Sequence, residues 1–219
     1  MKKTVASILA AALLLTMQTS VLAAQTGYHD PYLLGFPDGS IRPEEPVTRE
    51  QLAQILFRLM EQRPENLQTE SAFCDLPHSR WSYEAVSALA GLGILTGGEE
   101  GRFEPGKNVS GNVLTVTMNM IAHTEQGETA FPRLAAGWIR EEKAAAQALD
   151  TEDALSRAEL AALLNRLLCR ETEADHQMGS DYYRDNADRT AWYYAAVREA
   201  SMWHEWKTED GFAGWTAVG

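Results

Sequence analysis

The residues of this sequence best able to do chemistry are its histidines, cysteines and acids, and their spacing assembles none of the familiar reactive sets. His29, His78, His123, His176 and His204 are scattered, without the pair that puts two imidazoles on one helical face for zinc. The glycines at 35 to 39 and 97 to 101 lack the Lys and the Ser or Thr that a phosphate loop needs, and there is no Gly-x-Ser-x-Gly elbow. Asp181, Asp185, Asn186 and Asp188 offer oxygens for calcium, yet the Gly and Glu that close an EF-hand loop are missing. Acids are abundant enough to supply a pair for glycoside hydrolysis, but nothing marks a pair as buried, and solvated helix faces are the simpler account. The expectation is therefore a protein without catalysis, cofactor or metal. Cys74 and Cys169 are too few for a disulfide framework; one long-range disulfide and two small apolar core positions both stay open.

At the N-terminus Lys2 and Lys3 precede an apolar run from Val5 to Met17, then Val21-Leu22-Ala23. This is the pattern of an export leader, assigned to residues 1–23. No Cys follows to carry lipid, so no membrane partner is expected after cleavage. The full sequence has a formal charge of −12, and losing the two leader lysines makes it more negative. That balance argues against nucleic acid as a partner.

An internal repeat carries most of the signal. Tyr32 to Thr48 (YLLGFPDGSIRPEEPVT) aligns without a gap on Ile94 to Ser110 (ILTGGEEGRFEPGKNVS), matching Gly35 with Gly97, Gly39 with Gly101, Ile41 with Phe103 and Pro43 with Pro105. Each copy has an acidic residue and Gly for a turn, then an extended X-Pro stretch that ends where a helix begins. Thr48 with Gln51, and Ser156 with Glu159, form capping boxes; Ser110 begins a weaker copy, with Val113 in place of the acid or amide. Apolar residues then fall at helical spacing: Leu52, Ile55, Leu56, Leu59 and Met60; Leu114, Met118 and Ile121; Leu160, Leu163, Leu164, Leu167 and Leu168.

A second segment type recurs. Phe73-Cys74-Asp75-Leu76 precedes Trp81, Phe131-Pro132-Arg133-Leu134 precedes Trp138, and Tyr183-Arg184-Asp185 precedes Trp192. Each Trp opens a helical stretch, at Tyr83 to Leu92, Ile139 to Leu149 and Tyr193 to Met202. Core anchoring is the plain reading of these tryptophans. The tail from Trp203 to Trp215, around an Asp210-Gly211 turn, is expected to dock on the domain or to offer an aromatic partner site.

An aromatic-x-Asp start, a Trp-led helix, an Asp-Gly loop with Arg-Pro, and the caps Thr48-Arg49-Glu50-Gln51 and Ser156-Arg157-Ala158-Glu159 together resemble the S-layer homology (SLH) repeat. The resemblance implies an all-α fold: a three-pronged, pseudo-threefold bundle of helix-loop-helix repeats. It also implies an exported cell-wall or cell-surface protein that binds secondary cell-wall polysaccharide, often pyruvylated, in grooves between repeats. Arg is a planar donor suited to a ligand carboxylate, and an aromatic face suits a sugar ring. The residues carried over are Arg49, Asp75 and Trp81 for one groove, Arg157, Asp185 and Trp192 for another, and Gly35 in the loop.

Three departures qualify the match. The first repeat (24–62) enters at its loop, and its missing half sits at 181–219, so the chain is expected to be permuted, with the C-terminal Trp helix beside the first capped helix. The second repeat (73–122) has Gly111 where the Arg belongs. The third (131–169) has Arg133 for the Asp and lacks the Gly-rich loop. Both losses fall on one groove, so two grooves are expected to work. The alternative is a structural or protein-interaction module of the envelope whose repeats no longer bind glycan, with a protein partner.

Overall fold

The computed structural model describes residues 26–65, 67, 70–170, 183–209 and 212–218; the leader, His176, Asp181 and the Asp210-Gly211 turn lie outside them. In chain order the elements are β1 (Thr26–His29), α1 (Arg49–Leu59), α2 (Tyr83–Gly91), α3 (Gly111–Ala122), α4 (Glu125–Ala130), α5 (Pro132–Ala148), α6 (Arg157–Leu167), α7 (Tyr194–Ser201), β2 (His204–Glu209) and β3 (Phe212–Val218). The fold is mostly helical, as the sequence implies.

The capped helices form where the sequence places them. Thr48 and Ser156 each accept from the amide three residues on, while Gln51 and Glu159 accept from the cap amides, so both boxes are complete. Ser110 accepts from the Val113 amide alone. The residues just ahead of the caps meet in a closed ring: Val47 N–H donates to the Leu155 carbonyl, Leu155 to Val109, and Val109 back to Val47, each at 2.9 Å. Backbone groups that a buried loop would leave unpaired are satisfied in turn by the neighbouring repeat. Around this ring Leu52, Leu56, Leu114, Met118, Leu160 and Leu164 are buried in one core.

The Trp-led segments depart from expectation in two ways. Helix α5 starts at Pro132, well ahead of Trp138, because a proline in the first turn has no N–H to lose there. Helix α7 packs on α6, as α2 packs on α1 and α5 on α3; it does not lie beside α1. What joins residues 183–201 to the first loop is a matched set of bonds. Asp75 accepts the amides of Phe103 and Glu104 at 2.7 and 2.8 Å, and Asp185 accepts those of Ile41 and Arg42 at 2.9 and 2.8 Å. The amides of Ile94 and Leu95 donate to the Leu89 carbonyl in α2; those of Tyr32 and Leu33 donate to the Ala200 carbonyl in α7. Phe73 lies over Gly97 as Tyr183 lies over Gly35, each ring filling the space a side chain would need.

A three-stranded antiparallel sheet, β1-β2-β3, adds to the helices and was not foreseen. β1 opposes β2 in a continuous register with His29 facing His204, and a bulge between Glu205 and Trp206 interrupts the pairing of β2 with β3. Four residues carry too little pattern to be read as a strand until their partner is known. Cys74 and Cys169 are free and exposed, so neither the disulfide nor the buried apolar role holds.

Candidate functional site

Arg49 and Asp75 grip one residue from two sides. The Arg49 guanidinium donates to the carbonyls of Phe103 (2.8 Å) and Thr96 (2.6 Å) and lies 4.6 Å from the Phe103 ring, while Asp75 takes the Phe103 amide. Arg157 and Asp185 repeat the grip on the other loop: Arg157 donates to the carbonyls of Ile41 and Leu34, both at 2.8 Å, and Asp185 takes the Ile41 amide. Arg157 is only 3% exposed, and burial pushes its guanidinium down to about 10. Burial likewise pushes the Asp75 carboxyl up, but the amides of Phe103 and Glu104, with Arg102 nearby, more than offset it, so its pKa lies below the ordinary range. These charged pairs set the loop backbone, a job for which the planar Arg fork is suited.

An open groove of about 530 Å³ lies between the first loop and α1, lined by Leu34, Gly35, Phe36, Gln51, Gln54, Arg58, Trp81 and Arg157 among others. Glu50 holds Arg80 through two bonds of 2.8 and 2.9 Å and accepts from the Ser82 hydroxyl at 2.8 Å. The residues flanking Trp81 are thereby tied to the first turn of α1, and the indole between them stands 59% exposed. The tryptophans thus divide: Trp138 is fully buried and donates to Asn119 at 2.8 Å, whereas Trp81 and Trp192 are exposed.

The structure brings some of these residues together and leaves others apart. Arg49 with Asp75, and Arg157 with Asp185, do come together on shared residues. Trp81, however, shares its groove with Gly35 and Arg157, which lie far away along the chain, and Arg49 does not line it. Trp192, 65% exposed, makes an edge-on contact with Tyr193 at 5.6 Å. The Asp185 and Asp188 carboxylates considered for calcium serve backbone amides instead. Arg58, Gln51 and Gln54 were missed, although their spacing on α1 places them on one face. At the Ser110 cap the short link 149–155 brings the Leu149 carbonyl onto Gly111, where the Arg of the other copies would stand.

Three capped helices joined at a backbone ring, with loops gripped by an Arg of one repeat and an Asp of another segment, define a helical repeat module. The family model for the S-layer homology domain matches residues 33–53 and 73–111, so these two stretches carry S-layer homology sequence. This match and the relatives that share it indicate a location at the cell surface. The chain is similar to Cell surface glycoprotein 1 of Acetivibrio thermocellus, 30% identical over 119 residues, which is 53% of this chain and 5% of that protein. It is also similar to the Cellulosome-anchoring protein of the same organism, 25% identical over 205 residues, 84% of this chain and 45% of that protein. The chain spans less than half the length of either relative.

Proposed function

We propose that this protein is a non-catalytic anchoring module that holds to secondary cell-wall polysaccharide through the groove beside Trp81. Trp81 carries the reading: a large aromatic, fixed on both flanks by Glu50, left exposed over a concave surface. An indole face suits the apolar face of a sugar ring, and the Gln51 and Gln54 amides suit hydroxyls. Arg58 supplies a cation for an acidic substituent such as a pyruvate ketal. Arg157 acts from beneath, holding the Leu34 and Ile41 carbonyls that shape the loop. Relatives named for the cell surface and for anchoring agree with this role.

The same reading treats the repeats as a three-pronged, permuted set, with 181–219 completing 24–62, supported by the matched bonds of Asp75 and Asp185. A second reading, an envelope module with a protein partner, is favoured by one observation: the Ser110 cap is sealed by Leu149, so the repeats are not all equipped alike.

Co-sedimentation with purified cell-wall sacculi, before and after chemical removal of the secondary polymer, tests the proposal. Pelleting of the wild type that needs the polymer, and is lost in a folded Trp81→Ala, Arg58→Ala variant, supports it. A folded wild type that stays in solution throughout overturns it in favour of the interaction module.

A further inference from the structure

Two histidines and a glutamate that no sequence spacing connects meet inside the protein. His29 ends β1, His204 begins β2 directly opposite it, and Glu199 lies in α7 one turn before the strand. All three are buried. His29 Nδ1 is 3.1 Å from His204 Nε2 and 3.0 Å from Glu199 Oε1, and His204 Nε2 is 3.1 Å from Glu199 Oε2. Ligand atoms of the three side chains thus converge within 4.8 Å of one another.

The three side chains can share protons, and the same geometry suits a shared metal ion. The Met202 carbonyl lies 3.0 Å from His204 Nδ1 and can only accept, so that nitrogen carries the proton. In neutral His204 the Nε2 lone pair then faces a carboxylate oxygen and the second imidazole. A proton on His29 Nδ1 can bridge to either neighbour, whereas a metal ion would take all three groups as one ligand set. An imidazole whose other nitrogen donates to a backbone carbonyl is the usual orientation of a metal-bound histidine. Two ligands sharing a tetrahedral zinc at about 2.0–2.1 Å stand roughly 3.3–3.4 Å apart, within a few tenths of the separations here.

We propose that His29, Glu199 and His204 bind a divalent first-row transition metal, with zinc the best match to two imidazoles and a carboxylate. The burial of all three favours a structural clasp over a reaction centre. It would fasten β1 to the end of α7, across the same join that the Tyr32 and Leu33 amides make to Ala200. Trp206 stacks over His29 at 5.5 Å and lies close on Gly27, shielding the cluster from one side. The Arg170 guanidinium lies near enough to His29 to act on it electrostatically. The same cation repels a divalent ion, so affinity should fall below that of a four-ligand structural site. This inference does not depend on the polysaccharide reading.

Titration of chelator-stripped protein with cobalt(II), followed by visible absorption, and with zinc, followed by equilibrium dialysis and thermal melting, tests it. The expected result is one metal per chain, ligand-field bands, and a higher Tm with zinc. His204→Gln and His29→Gln, each checked for native far-ultraviolet dichroism, should weaken binding by more than the roughly 10–100-fold typical of losing an outer-shell partner. A wild type that binds no metal at micromolar zinc overturns the proposal and leaves a proton-sharing triad. Binding that is undiminished in a folded variant also overturns it, by placing the metal elsewhere.

Discussion

The carbonyl of Leu149 occupies the space that a β carbon on Gly111 would need. In the other two caps the same position is an Arg that reaches a loop carbonyl through its guanidinium, so here the loop has come to the helix. The lost Arg and the lost Gly-rich loop are one event, since the shortened link occupies the space the side chain would need. Gly111→Ala should therefore cost about 1–3 kcal/mol as an overpacked contact, measured by urea unfolding; an unchanged midpoint would refute this link.

Trp81 and Trp138 should behave as opposites. Trp138→Ala removes a buried ring and should destabilise by about 3–5 kcal/mol. Trp81→Ala should stay within about 0.5 kcal/mol of wild type, as exposed positions do, while losing polymer binding. Paired unfolding and sedimentation measurements separate the two roles.

Asp75 links loop geometry to acid stability. With its pKa below the ordinary carboxyl value of about 3.9, its contribution is fully present above that value and is lost as pH falls through the folded pKa. Asp75→Asn can accept both amides only by sharing one oxygen and should lose about 1.5–3 kcal/mol at neutral pH, the range for bonds to a charged group. Its stability should also fall less steeply below pH 4 than that of the wild type. Parallel acid-unfolding curves would show that Asp75 is not a source of the slope.

Removing residues 171–219 takes away Tyr183, Asp185 and α7 together, leaving Gly35, Ile41 and Arg42 without their partners. The expected outcome is a markedly lower Tm for the whole domain. A truncated protein that melts like the wild type would contradict a repeat split between distant segments.

Much of this was legible in the sequence because its signals are local. A capping box spans four residues, and an amphipathic helix repeats its pattern over three turns, so α1, α3 and α6 and their buried leucines could be placed directly. The aromatic-x-Asp segments could be recognised, and their partners follow from the intact copy. What could not be read was which repeat faces which. Trp81 meets Gly35 and Arg157 only after the ring has closed, and that is a relation in space rather than in spacing. The histidines show the same limit, for His29 and His204 become neighbours through a strand pair that four residues barely announce. Exposure was equally hidden, since three tryptophans in similar settings end with one buried and two in solvent.

The ring of Val47, Leu155 and Val109 has a further meaning for how such a module can be extended. Each member gives one amide and takes one at its carbonyl, so after three the circuit is saturated. Solenoid repeats keep an open end and add units without limit; here a fourth unit would find no vacant donor. Copy number is written into the hydrogen bonding itself, and any larger lattice must grow from the outer faces of finished units.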